Sequence, residues 1–156
     1  MKSNAVVFTA PETVEFTQVT CPEPEPGDVV VRLAHSWISN GTEGSYLRGE
    51  RIAGDTAFRH GDPVPFPIVA GYQKIGTVEW IGKDVEGLDI GQSVFCTMSK
   101  VDNMFEARGG HLSPAVTPAD QVWALPKNMD PVAFAGLVLT QVGFNCGVRP
   151  TIGVGD

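Results

Sequence analysis

The hydrophobic positions fall mostly in short runs, and the runs favour β-branched residues. Residues 5–8 (AVVF) and 14–19 (VEFTQV) read as two strands joined by a turn at Pro11-Glu12-Thr13. In the second strand Val14, Phe16 and Gln18 point one way and Glu15, Thr17 and Val19 the other, because successive strand side chains alternate between faces. Residues 29–35 (VVVRLAH) form the densest run, β-branched first and alternating afterwards. A further run passes through Ile75, Thr77, Val78, Trp80 and Ile81, and residues 94–96 (VFC) and 121–126 (QVWALP) supply two more. Gly71, Gly76, Gly82, Gly87 and Gly91 punctuate the middle of the chain, as glycines do where a twisted sheet bends, bulges or turns. One segment carries a helical period instead. Ala133, Leu137 and Val138 follow Asp130-Pro131, a favourable cap and first-turn pair, so a helix is predicted to begin near Pro131. Gly143 and Gly147 mark where it can end.

The connections are polar. Residues 21–28 (CPEPEPGD) make an acidic loop that prolines at alternate positions hold extended. Residues 50–65 read as a surface loop, long enough to be functional or mobile. The 18 glycines and 12 prolines of this 156-residue chain favour many short strands over long helices, in one domain with a real core. The net charge of −7 repels phosphate backbones and anionic lipid, which argues against nucleic-acid or membrane partners. No stretch is long and apolar enough to span a bilayer. Cys21, Cys96 and Cys146 are far apart and form no C-x-x-C pair, the usage of a cytoplasmic chain with free thiols.

Residues 66–94 have a tighter grammar: Pro67, Val69, Gly71-Tyr72-Gln73, Gly76, Val78, Ile81-Gly82, Gly91-Gln92 and Val94. This frame resembles the P-x-V-x-G-H-E-x-x-G-x-V-x-x-V-G…G-D-x-V signature in the GroES-like catalytic domain of medium-chain dehydrogenases/reductases, the zinc-type alcohol dehydrogenase superfamily. Ile38-Ser39-Asn40-Gly41-Thr42-Glu43 resembles that family's G-I-C-G-T-D element, Gly109-Gly110-His111 its G-G-x-A-E-Y return strand, and residues 121–126 its x-V-x-x-L-P segment. The resemblance implies a mainly β fold, a partly open GroES-like barrel with few short helices and a C-terminal linking helix. It places a catalytic domain at residues 1–128 and the linking helix at residues 129–156, leading towards a dinucleotide-binding domain that the chain lacks. A nicotinamide site needs a strand, a G-x-G-x-x-G turn and a helix N-terminus, and no such motif occurs. Gly153-Val154-Gly155 has no such context around it. The resemblance thus implies a truncated chain whose full-length parent uses NAD or NADP, with no cofactor-binding residue in this part.

The chemistry departs from the family frame. Tyr72 stands where the zinc-binding His would be, Gln73 where the Glu would be, Ser39 or Asn40 where the Cys would be, and Val138 near the third ligand. None is a usual zinc ligand, and a catalytic zinc needs three. The departure implies no zinc. A carbonyl can instead be polarised by hydroxyl hydrogen bonds, which makes Thr42 and Tyr72 the catalytic candidates. The other reading, that Tyr72 only fills the space of a lost metal, stays open. Ser39, Asn40, Trp37 and Gln73 are the substrate-binding candidates around them. Thr42 also suits the cap of a short helix over residues 43–48. His35, His60 and His111 read as ordinary surface or partly buried histidines, and Trp80 and Trp123 as core or hinge packing.

These residues imply the substrate domain of an NAD(P)-dependent, zinc-independent oxidoreductase acting on a small-molecule alcohol or carbonyl. Its parent is cytoplasmic, and the family allows it to be a homo-oligomer. The pairing of I-S-x-G-T-E with G-Y resembles a branch that includes bacteriochlorophyllide dehydrogenases. The competing class is a free-standing GroES-like binding or structural module without catalysis. Against a co-chaperonin role stands the polar, charged composition of residues 50–65, where a mobile apolar loop would be needed.

Overall fold

A computed structural model describes residues 1–53 and 56–148. Two antiparallel sheets dominate it. Strands β1 (Lys2–Ala10) and β2 (Thr13–Thr20) form a long hairpin. Strand β3 (Asp28–Ser36) leads to helix α1 (Asn40–Leu47), and a small hairpin of β4 (Arg51–Ala53) and β5 (Thr56–Ala57) follows. Next come β6 (Ile68–Val69), β7 (Lys74–Ile81), β8 (Ser93–Cys96), β9 (Ser99–Lys100), β10 (Arg108–Gly109), β11 (Leu112–Ser113), β12 (Ala115–Pro118) and β13 (Val122–Ala124). A 3-10 turn at Pro131–Phe134 and helix α2 (Leu137–Val148) close the described chain.

One sheet has the order β11-β1-β2, with β6 also paired to β1; the other has the order β12-β3-β7-β8-β13. The arrangement is mainly β with two helices, as the turn-rich pattern predicts. The sheets are joined at a corner. Leu112 pairs with Ala5 in the first sheet, whereas Ala115 pairs with Val31 in the second. Pro114 lies between, where neither ladder needs an N–H, and its carbonyl accepts from the Ser3 hydroxyl at 2.6 Å. The return strand that Gly109-Gly110-His111 resembles is three short pieces, β10, β11 and β12.

The core has one cluster shared by the two sheets and another within the larger sheet. Ala5, Val7, Val19, Cys21, Val30, Val69, Leu112, Ala115 and Val116 make one buried cluster, and Val29, Val31, Val78, Val94, Cys96 and Val122 a second. Val29, Val30 and Val31 are buried in succession, so this half of β3 is covered on both faces. Register shifts by a bulge between Val30 and Val31 and again between Leu33 and His35. At Gly76 the opposing Arg32 carbonyl comes closer than any Cβ would allow. That contact is the physical content of this motif glycine.

Several expectations are corrected. The predicted alternation in β2 exists, but residues 13–18 are exposed on both faces, because β2 is an edge strand with nothing above it; Phe16 is 77% exposed. Residues 50–65 are not a structureless loop, since they contain the β4–β5 hairpin. Helix α1 starts at Asn40 with Ser39 as its cap residue, so Thr42 lies inside the first turn rather than capping it. Asp130 does cap, accepting the Val132 N–H at 3.0 Å, but Pro131 opens a 3-10 turn, and the α-helix begins only at Leu137. It runs on through Gly143 and Gly147. Trp37, Trp80 and Trp123 are each more than a third exposed rather than core. Gly54 and the terminal Gly153-Val154-Gly155 lie outside the described residues.

Candidate functional site

The site is assembled from three backbone segments, each pinned by local physics. The first is the start of α1. Its cap residue, Ser39, provides no side-chain hydrogen bond to the helix. Glu43 compensates: its backbone N–H donates to the Ser39 carbonyl at 2.9 Å, and its carboxylate Oε1 accepts the Ser39 N–H at 2.8 Å. A carboxylate near a helix N-terminus also meets the positive end of the helix dipole. Thr42 and Tyr46 are carried on the same helix.

The second segment is Ala70-Gly71-Tyr72-Gln73, between β6 and β7. Gly71 adopts φ +85°, a left-handed conformation open to glycine at little cost. The third segment is Gly110-His111. Both of its N–H groups donate to the Ala70 carbonyl, at 3.0 and 2.7 Å. The His111 ring packs directly on Gly71, where an added Cβ would stand 2.5 Å from Cε1 and 2.6 Å from each ring nitrogen. His111 Nε2 meets the second Glu43 oxygen, Oε2, at 2.7 Å, with both side chains less than a tenth exposed. An ionised Glu43 carboxylate only accepts, so in that form His111 Nε2–H is the donor in this pair. His111 Nδ1 is buried without a protein partner.

Two cavities flank these segments. One, of about 440 Å³, is lined by Thr42, Glu43, Tyr46, Tyr72, Met98 and Arg108, with Ile68, Val69 and Ala70 as its apolar wall. The other, of about 500 Å³, has Val6, Phe8, Ile38, Leu47 and His111 among its lining and is mostly apolar. Phe8, Glu43 and Ala70 border both.

Thr42 and Tyr72 therefore line one cavity, and both are half-buried. Asn40 lines the neighbouring one. Ser39 is buried and contributes its backbone N–H to Glu43. Trp37 borders neither cavity; it is 51% exposed, and its ring packs beside Gly136. Gln73 is fully buried, and neither of its amide atoms has a protein partner. His111 is not the surface or half-buried residue its sequence suggests.

At the positions where the family signature has metal ligands stand an amide or hydroxyl (Asn40, Ser39), a phenol (Tyr72), an amide (Gln73) and an alkyl side chain (Val138). This donor set does not fit zinc, which takes imidazole, thiolate and carboxylate. Among the described residues no group of three or more His, Cys, Asp or Glu side chains is placed to hold a metal ion.

Directly beyond Gln73, Lys74 is fully buried inside the sheet. Its ammonium donates to Ser99 Oγ at 2.6 Å and weakly to the Gly109 carbonyl at 3.5 Å, and Ser99 bonds in turn to Thr117 Oγ1 at 2.6 Å. No carboxylate pairs with it among the described residues. Burial pushes its pKa down to about 8, with the buried Cys96 and Cys21 thiols opposing the shift weakly. Burial in turn raises both thiols above their usual range.

The two packed antiparallel sheets, with a short helix beside a glycine-pinned turn, define a GroES-like domain. Residues 25–127 match the alcohol dehydrogenase GroES-like domain family, and the chain belongs to that family. Over 98 residues it is 33% identical to the 2-desacetyl-2-hydroxyethyl bacteriochlorophyllide A dehydrogenase of Cereibacter sphaeroides, covering 61% of this chain and 27% of that protein. Over 139 residues it is 29% identical to the enzyme of the same name from Rhodobacter capsulatus, covering 84% of this chain and 40% of the relative. The chain thus spans less than half the length of these relatives. In structure it resembles the 2R,3R-butanediol dehydrogenase of Bacillus subtilis, with a TM-score of 0.74 over 96% of this chain and 48% of the other, at 17% identity. No helix among the described residues is long and apolar enough to cross a membrane.

Proposed function

We propose that residues 1–128 form the substrate domain of an NAD(P)-dependent, zinc-independent oxidoreductase that interconverts a small-molecule alcohol and its carbonyl. Residues 129–156 lead towards the nicotinamide-binding part of the parent protein. The observation that supports this most is the placement of Thr42 and Tyr72, distant in sequence, on the wall of one cavity. Two hydroxyls there can donate to a reacting oxygen, and the donor set at the family's metal positions does not fit zinc. Such donors act by being in place before charge develops on that oxygen. The relatives' name, with its hydroxyethyl group, supports oxidation at an alcohol carbon.

In this reading the chain's own residues bind and orient. Ile68, Val69 and Ala70 exclude water from one side of the cavity. Asn40 belongs to the neighbouring wall, Ser39 holds Glu43 through its N–H, and Gln73, next to Tyr72 in the chain, keeps a buried amide without a protein partner. Trp37, packed beside Gly136, lies outside both cavities. The nicotinamide supplies or accepts the hydride when bound. The test is turnover of the full-length protein with NADH and NADPH against alcohols and carbonyls, before and after dialysis with a chelator. Retained turnover supports the proposal; turnover that disappears and returns on adding zinc refutes it.

A further inference from the structure

One hydrogen bond ties the helix that carries Thr42 to the segment packed against the Tyr72 turn. Glu43 immediately follows Thr42 on α1, and its carboxylate is bonded to His111 at 2.7 Å. The His111 ring is packed on Gly71, which immediately precedes Tyr72. Gly110 closes on the same place: a Cβ there would overlap the Gly71 carbonyl and stand 2.5 Å from the Tyr72 backbone nitrogen. The segments holding Tyr72 and His111 thus meet with no room to spare, α1 is tied to them through Glu43, and Glu43 borders both cavities.

We infer that Glu43 and His111 form a clasp that fixes where the Thr42 and Tyr72 hydroxyls stand relative to one another. They are positioning residues. The other Glu43 oxygen, Oε1, holds the Ser39 N–H, so the same carboxylate sets both the start of α1 and its distance from the Gly71-Tyr72 turn. A short buried bond between a carboxylate and an imidazole is directional, whereas apolar packing alone would let α1 slide. The catalytic consequence rests on the proposed role of Thr42 and Tyr72; the geometric claim does not.

The chain has two tyrosines, Tyr46 and Tyr72, and both line the same cavity. In the full-length protein labelled with 3-fluorotyrosine, these two resonances, assigned by their loss in Tyr46→Phe and Tyr72→Phe, are the ¹⁹F probes at the site. His111→Gln keeps a donor towards Glu43 and is expected to preserve both resonances. His111→Phe removes the donor and leaves one oxygen of a buried carboxylate without a partner, so it is paired with Glu43→Met, which removes the charge as well. In the folded Glu43→Met, His111→Phe protein both resonances should move or broaden. The exposed control His35→Gln should leave them in place. Turnover in the double variant should fall by about 10²-fold, the scale of an ångström-sized misplacement. KM should change far less, and adding Tyr72→Phe should cost nothing further.

Unmoved ¹⁹F resonances in the folded double variant would overturn the clasp. So would an unchanged cost of Tyr72→Phe in that background. If Tyr72→Phe alone is silent, the hydroxyl reading fails, and the resonances still decide the clasp.

Discussion

Lys74 is the residue whose environment makes the sharpest demand. It is fully buried, bonded only to neutral oxygens, and without a carboxylate partner among the described residues. Its pKa falls from 10.5 to about 8. At 1.36 kcal/mol per unit, that difference means the folded protein holds the charged lysine at a cost of about 3 kcal/mol near neutral pH. The sign follows from linkage. Below pH 8 both states are protonated and the cost is fully present. Between pH 8 and 10.5 the unfolded state binds more protons than the folded one, so stability rises with pH. Lys74→Met keeps an unbranched chain in the same space and removes the charge. It gives up the hydrogen bond to Ser99, worth about 1 kcal/mol, while Ser99 retains Thr117. The net expectation at pH 7 is a gain of about 2 kcal/mol, or about 4–8 °C in Tm for a chain of this size. Urea unfolding of both proteins at half-unit steps from pH 6.5 to 10 is the assay. The gain should shrink as pH passes 8 and vanish by pH 10. The buried thiols Cys21 and Cys96, with raised pKa, work in the opposite direction over this range, but they are common to both proteins and largely cancel. A gain independent of pH, or a Met variant less stable at pH 7, would refute the reasoning.

Other consequences follow from the geometry. Gly71→Ala forces a left-handed backbone on alanine and drives a methyl into the His111 ring, so it should cost about 2–4 kcal/mol in chemical unfolding. Asp130→Ala removes the bond to the Val132 N–H and should cost about 1 kcal/mol, read as a small fall in the urea midpoint. Protein purified without added metal should carry well under one zinc per chain by elemental analysis, and a chelator should leave its Tm unchanged; a stoichiometric, chelator-resistant zinc would contradict the proposed chemistry.

Much of the fold is legible in the chain because its causes are local. The β-branched run at Val29–Val31, the glycine at a strand crossing such as Gly76, and the Asp130-Pro131 pair each act within a few residues. What the chain hides is set by distance. Pro114 inside the return strand signals an edge or a bulge, but not that the strand changes sheets there; that depends on Ser113 and Ala115 meeting different partners, Asn4 and Val31. Lys74 opens its strand as a charged residue with no neighbour in sequence to pair it, yet it is fully buried and β9 supplies its partner, Ser99. The helix boundary shifts to Leu137 because proline starts a 3-10 turn as readily as an α-helix. The frames holding Thr42 and Tyr72 could be read from motif spacing. The Glu43–His111 bond could not, since two single residues in separate motifs carry no periodicity that pairs them. A buried acid beside a glycine-flanked histidine would be the signal to seek.

The central claim is that hydroxyl donors at Thr42 and Tyr72 do the work at this site. Tyr72→Phe removes one donor at almost constant volume, so the full-length enzyme's turnover number under saturating substrate and cofactor isolates it. Thermal unfolding run alongside checks that the variant is folded. Loss of one such donor should lower turnover by about 10²–10³, with Tm nearly unchanged. A Tyr72→Phe enzyme with unaltered turnover would show that Tyr72 only fills space, and would leave Thr42 as the single candidate.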